Sequence, residues 1–332
     1  MKFGPVPTAQ ARGRVLAHSV AVQDGRLRKG QVLDAADIAA LEAEQIGEII
    51  VATLEQGDVG ENAAADQLAD ALLAGSTGLR RSAAFTGRVN LIADTSGVAV
   101  LDVAALHAVN DIDPMITVAT VPDHHQLRAG DMVATIKIIS YAVPQAALGA
   151  AVARARGAVG VAAPKLTSAT LIITEIPGGA GEKGRAAIED RLTALGVTLA
   201  AVEVVPHRKA ALSVAIGAAQ TPLVLILTGS ATSDIHDVAP AAVVQAGGRI
   251  IRFGMPVDPG NLLFLGALGD TCIIGLPGCA RSPALNGADW VLARCVCGIG
   301  VTSHDFSAMG VGGLLKEIPT RPQPRRPRRD TP

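Results

Sequence analysis

Cysteine and aromatic residues are the scarcest features of this chain. Phe, Tyr and Trp together make up 2% of the 332 residues, so Ala, Val, Leu and Ile must do the packing. The full set of cysteines is Cys272, Cys279, Cys295 and Cys297, all late in the sequence. Cys295-x-Cys297 lacks the two-residue gap of a zinc knuckle, and no histidine lies at ligand spacing, so reduced, unmetallated thiols are expected. Long apolar runs are missing as well. None approaches the length of a spanning helix, and Met1-Lys2-Phe3-Gly4-Pro5 does not start a signal peptide, which predicts a soluble, cytoplasmic protein without a membrane partner. An excess of one charge is also absent. The net charge of −1 gives no general attraction to nucleic acid or acidic membranes.

What remains is ample for folding. Hydrophobic residues are 49% and charged residues 18% of the chain, enough for a sizeable core. The length predicts two or three domains. The best-marked stretch is Leu223-Val-Leu-Ile-Leu-Thr-Gly-Ser-Ala-Thr-Ser-Asp-Ile-His-Asp237. Leu223 to Leu227 is too short for a helix and reads as a strand buried on both faces, as in a parallel sheet. A turn of small hydroxyl residues follows, and then a helix over Val238–Ala246. Such a strand, turn and helix start leaves backbone N–H groups where an anion can dock. The same pattern also describes an ordinary connection in which Ser, Thr and Asp cap a helix.

Two later stretches repeat the theme. Gly248–Asn261 holds a short strand and a Pro259-Gly260 turn. Cys272–Gly278 is another buried strand ending in Leu276-Pro277-Gly278, followed by Cys279-Ala-Arg-Ser-Pro283. Open α/β sheets bind ligands at the carboxyl ends of their strands. In order and spacing, Thr228-Gly229-Ser230, Asp237, Pro259-Gly260 and Leu276-Pro277-Gly278 resemble the molybdopterin-binding domain of molybdopterin adenylyltransferases and molybdenumtransferases.

That resemblance implies an α/β fold: a three-layer molybdopterin-binding domain with a mostly parallel sheet over 151–318, preceded by an α+β domain (1–78) and a β-rich mixed domain (79–150). It implies a transferase of molybdenum cofactor biosynthesis that handles molybdopterin and molybdate with Mg²⁺. The alternative is a non-catalytic carrier or sensor of the cofactor, and a weaker third reading is a nucleotide-hydrolysing relative. Partners would be the pterin ligand, a second copy of the chain, and a molybdenum enzyme or another cofactor-assembly protein. Thr228, Gly229, Ser230, Thr232, Ser233, Pro259, Gly260, Pro277, Gly278 and Ser282 are the expected cofactor-binding residues. Asp237 and Glu175 are the expected catalytic acids, and Asp237 with Asp234 the expected metal ligands.

The chain departs from the family pattern at several points. Ser230 and Asp234 stand where glycines are expected, Asn261-Leu262 replaces Lys-Pro, and Cys279-Ala280 replaces Asn-Pro. His207 lies about where an acidic residue would follow the second strand. Losing one charged partner typically costs two to three decades in rate, so binding is better supported than catalysis.

Elsewhere, Asp34 is expected to cap a helix reaching Ala43, and Asn62–Leu73 reads as an alanine-rich helix. His124-His125 are expected to point to opposite sides of a solvated turn, which disfavours their ligating one metal together. Lys137 lies inside an apolar strand, where it is either on a solvated edge or facing an anion. The glycine-rich loop from Glu175 to Gly184 is not a phosphate-binding P-loop, because Lys183 is followed by Gly184. The Pro- and Arg-rich segment 319–332 is expected to stay disordered, and without aromatics among its arginines it gives no reason to invoke nucleic acid.

Overall fold

The computed structural model describes residues 1–315, so the expected disordered tail lies outside the described residues. Among these residues no helix is long and apolar enough to cross a membrane. By contact the chain divides into two compact units, one of Met1–Thr95 with Ala99–Val161, the other of Ser96–Val98 with the chain from Ala162 onward.

The first unit contains two cores. Strand Lys2–Pro7 pairs antiparallel with Glu48–Thr53, whose other edge takes Val15–Leu16. Against them lies helix Ala35–Ala43, opened by a capping box in which Asp34 accepts from the Asp37 N–H and Asp37 returns the bond. Leu16, Leu33, Leu41 and Val51 fill this small core. The larger core joins helices Glu61–Leu72, Val103–Asn110 and Gln145–Ala155 to a four-stranded sheet. Its order is Ile116–Thr120, Met132–Ile138, Arg88–Ala93, Leu79–Arg81. Leu68 and Leu72 pack in one cluster with Val89, Ile136, Leu148 and Ala155. One core therefore crosses the expected divisions at 78 and 150, because these helices bury their apolar faces on that sheet.

Lys137 is on a central strand rather than an edge, paired with Thr117 on one side and Arg88 on the other. Its ammonium reaches the Thr86 carbonyl and lies 3.8 Å from a Glu61 carboxylate oxygen, so it faces an anion. His124 sits in a turn at φ 60°, with Nδ1 3.0 Å from the Asp123 carboxylate.

The second unit is built on a six-stranded sheet in the order Thr198–Pro206, Ser168–Glu175, Leu223–Leu227, Thr271–Leu276, Phe264–Leu268, Arg249–Phe253. The first four strands pair in parallel. The last two are joined by antiparallel pairing. Leu223–Leu227 is the hub, every residue fully buried. Its side chains alternate, as strand geometry requires. Leu223, Leu225 and Leu227 enter a core with helices Arg185–Ala194 and Gly287–Val296. Val224 and Ile226 enter another with helices Lys209–Ala218 and Val238–Gln245. Helices thus cover both faces, which explains the uninterrupted apolar run. Each such side chain contributes about 1.5–3 kcal/mol of burial. Phe264 stands opposite Gly275, where a Cβ would meet the Phe264 ring at 1.9 Å, so a glycine in that buried strand makes room for the ring.

Candidate ligand site at the strand ends

Parallel pairing sets the carboxyl ends of neighbouring strands side by side, and three of them meet at one threonine. Thr174 closes Ser168–Glu175 and is fully buried. Its Oγ1 accepts a bond from the Gly229 N–H at 2.9 Å and lies 2.7 Å from His207 Nδ1. The His207 N–H in turn donates to the Glu175 carbonyl at 2.9 Å. Gly229 is obligatory here, since a Cβ would lie 2.7 Å from the Thr174 carbonyl oxygen. Glu175 is exposed and borders the glycine-rich loop at Gly181.

The hydroxyl turn after Leu227 is less open than its composition predicts. Thr228 and Thr232 are buried, and their hydroxyls turn inward. Thr228 Oγ1 donates to the Ser230 carbonyl at 2.6 Å and lies 3.4 Å from Thr232 Oγ1. The exposed hydroxyl residues are Ser230 and Ser233. Among the described residues, no partner takes up the backbone N–H groups of Ser230, Ala231 and Thr232. Asp237 is the N-cap of helix Val238–Gln245: Oδ1 accepts from the Val238 N–H at 2.7 Å and Oδ2 from the Ser233 N–H at 3.1 Å. Asp234 Oδ1 accepts from the His236 N–H at 2.7 Å.

Two arginines hold the surrounding loops. Arg281 follows the Leu-Pro-Gly turn, in which Pro277 is buried and Gly278 exposed. Its guanidinium donates to the carbonyls of Gly181 at 3.1 Å, Lys183 at 2.5 Å and Thr228 at 2.9 Å. Burial lowers its pKa, yet a guanidinium stays charged at any ordinary pH. Gly184, at φ 98°, presses on the Arg281 backbone so closely that a Cβ would meet Cα at 2.6 Å. Arg191 fastens the next stretch, donating to Ala280 at 3.0 Å, Ser282 at 2.8 Å and Ala284 at 2.9 Å, with an ion pair to Asp289 at 2.6 Å. Ser282 Oγ accepts from the Ala284 N–H at 3.3 Å.

The expected residues divide accordingly. Thr228, Gly229, Ser230 and the segment from Pro277 to Ser282 converge through Arg281. Pro259 and Gly260 contact the start of Gly287–Val296 instead: the Pro259 carbonyl accepts the Gly287 N–H at 2.9 Å, and a Cβ on Gly260 would lie 2.7 Å from that nitrogen. Asp237, expected as a metal ligand, has both oxygens on backbone donors. Among the described residues no three His, Cys, Asp or Glu side chains converge as a metal site. The expected set omitted His207, Arg191 and Arg281. Arg281 carried a signal, as the only charged residue between Asp270 and Asp289.

A family model described as a domain of unknown function (DUF8806) matches residues 5–53, the segment that forms the small first core. No curated protein matches the sequence. Among solved structures the chain is similar to a molybdopterin biosynthesis MoeA protein from Pyrococcus horikosii, at 14% identity and a TM-score of 0.32, over 90% of this chain and 76% of that one. It is similar to a molybdenum cofactor biosynthesis protein from Pyrococcus furiosus at 13% identity and a TM-score of 0.22, over 84% of this chain and 59% of that one. It is also similar to the molybdopterin biosynthesis enzyme MoaB from Thermus thermophilus, at 17% identity and a TM-score of 0.27, over 46% of this chain and all of that one. At such scores the likeness carries no argument of its own, and the functional reading rests on the residues at the strand ends.

Proposed function

We propose that the strand ends of the second unit bind molybdopterin, and that the protein serves molybdenum cofactor biosynthesis by holding this anionic pterin. One observation carries the reading. The Thr228-Gly229-Ser230 turn and the Leu276-Pro277-Gly278 turn, which resemble the family's motifs, end neighbouring parallel strands and are tied together by Arg281. The N–H groups of Ser230 to Thr232 and the hydroxyls of Ser230 and Ser233 are the donors for the ligand's phosphate. Thr232 supports that turn from inside.

Between transferase and carrier, the engagement of Asp237 favours the carrier. Mg²⁺ is commonly held by one or two carboxylates together with substrate phosphates. Here both Asp237 oxygens and one Asp234 oxygen already accept backbone N–H groups, so these carboxylates are committed first to shaping the turn and capping the helix. Among the described residues no third acidic, His or Cys side chain joins them to make a metal cage. A pterin carrier of this kind would work in the cytoplasm, where cofactor assembly supplies its ligand.

The test is native mass spectrometry of protein purified from a host that makes molybdopterin, followed by turnover assays with adenylylated molybdopterin, magnesium and molybdate. Bound pterin without turnover is the expected result. Its loss by at least tenfold in Ser230→Ala/Ser233→Ala, with Thr232→Val affecting stability first, would locate the phosphate. Absence of any pterin from the folded protein refutes the reading, and magnesium-dependent turnover replaces the carrier by the transferase.

A further inference from the structure

A second site lies wholly within the first unit. Lys29, Gly30, Glu61, Thr86, Lys137, Ile139 and Tyr141 line a cavity of about 330 Å³, a volume suited to a small molecule. It carries two ammonium groups against one carboxylate. Lys137 projects from the centre of a sheet rather than from a solvated edge, and its side chain is 28% exposed. Its 3.8 Å separation from Glu61 exceeds that of a hydrogen-bonded ion pair, so the two charges flank a gap instead of closing it.

The surroundings are built to hold those groups in place. Lys29 Nζ lies 5.7 Å from the centre of the Tyr141 ring, a cation–π distance. That ring is fixed by its hydroxyl, which donates to the Ala17 carbonyl at 2.8 Å, and by Phe3 stacked at 6.3 Å. A chain so poor in aromatics has placed two of them at this point. Thr86 adopts φ 49°, a strained conformation for a β-branched residue, and its carbonyl is a partner of Lys137. The next residue, Gly87, is locked by its N–H bond to Asn62 Oδ1 at 2.7 Å. A Cβ there would lie 2.8 Å from both Glu61 Oε2 and the Ile138 carbonyl. Glu61 opens helix Glu61–Leu72, which has no side-chain cap, so the positive end of the helix dipole adds to the two lysines. Burial raises the Glu61 carboxyl above its ordinary pKa, against the pull of Lys137 and Lys29.

We propose that this cavity is a binding site for the phosphate group of a small molecule, held by Lys29 and Lys137, with Glu61 as the acidic group that competes with the ligand for Lys137. Lysine suits this role as a compact point charge on a flexible stem. The phosphate has two sources, free inorganic phosphate or a small phosphate ester, and the cavity volume admits both.

The experiment is calorimetric titration of the full chain with inorganic phosphate and with glycerol 3-phosphate, at constant ionic strength held with chloride. Wild type is expected to bind at least one of them, and tighter binding of the ester identifies an ester site. Lys29→Gln and Lys137→Gln should each weaken binding by about tenfold or more. Glu61→Gln should tighten it severalfold, because the competing charge is gone while the shape is kept. A merely structural Glu61–Lys137 pair predicts the opposite sign for Glu61→Gln. Circular dichroism on each variant confirms the fold, and the Glu61→Gln gain remains decisive if a lysine variant fails to fold. No binding by wild type, or binding by Lys29→Gln and Lys137→Gln as tight as that of wild type, overturns the proposal. Both outcomes are independent of pterin retention at the strand ends.

Discussion

Replacing Arg281 by methionine tests whether one side chain fastens the strand-end loops. Methionine keeps much of the apolar stem and removes all three donors. The carbonyls of Gly181 and Lys183 belong to an outer loop and can turn to water. The Thr228 carbonyl belongs to a residue only 9% exposed and loses its partner with little access to solvent. One buried acceptor left unpaired costs about 1–3 kcal/mol, while the two outer acceptors add little. For a unit of this size that is a fall in Tm of roughly 2–12 °C. Stability is one readout, and trypsin cleavage after Lys183 is the other. The loop carrying Lys183 should open more readily, by about tenfold for each 1.4 kcal/mol. Arg281→Lys should fall between, since one ammonium cannot reach three carbonyls in a fork. A methionine variant with wild-type Tm and unchanged cleavage after Lys183 would refute the fastening role.

Three further outcomes follow from packing and burial. Gly275→Ala should cost more than about 3 kcal/mol, beyond ordinary overpacking, because its Cβ would lie inside the Phe264 ring; denaturant titration with a midpoint near wild type would contradict this. Thr174→Val should cost about 1–3 kcal/mol, as it leaves the Gly229 N–H without its acceptor, and calorimetry measures it. Burial pushes the Cys297 thiol up to about 11, above its ordinary value of 9.0. A folded-state pKa raised in this way stabilises the fold below about pH 9, a contribution lost as pH climbs towards 11. Cys297 is also only 1% exposed, so its alkylation in the native protein should be slow at pH 8, as followed by peptide mass spectrometry; rapid labelling at pH 7 would show an accessible thiolate.

Local order was legible wherever one residue and its immediate neighbours decide the outcome. The Asp34 cap, the strand at Leu223–Leu227 and the helix after Asp237 all follow from short-range chemistry, and they occur where the residues indicated. What escaped reading depends on sheet order. Nothing in the linear chain says that Leu223–Leu227 lies between Ser168–Glu175 and Thr271–Leu276, yet that order brings Thr174 to Gly229 and Arg281 to Thr228. Helix Glu61–Leu72 displays an apolar face without naming the sheet it covers, so a core spanning residues 64 to 159 was not visible beforehand. The hydroxyl turn shows the same limit on a smaller scale. Composition counts four hydroxyls in Thr228 to Ser233, whereas backbone geometry turns those of Thr228 and Thr232 inward.

Asp237 separates the two functional readings most sharply. In Asp237→Asn the side-chain oxygen can still accept one N–H, and asparagine caps a helix about as well as aspartate. Its amide nitrogen cannot accept the second, so either Val238 or Ser233 loses a partner. Ser233 is exposed, and its N–H can bond to water at little cost. The charge itself interacts with the helix dipole by about 0.3–1 kcal/mol. The expected loss is therefore about 0.5–1 kcal/mol, or roughly 1–4 °C in Tm. Asp237→Ala removes both acceptors and should cost about 0.5–2 kcal/mol. If the carboxylate only shapes the turn, pterin retention should follow the same ranking, with asparagine close to wild type and alanine weaker. A carboxylate that touches ligand or metal gives a different pattern: asparagine would lose function by two decades while Tm hardly moved. Measuring Tm and pterin retention together in both variants decides between them, and a hundredfold loss in Asp237→Asn at nearly constant Tm would overturn the capping role argued from the hydrogen bonds.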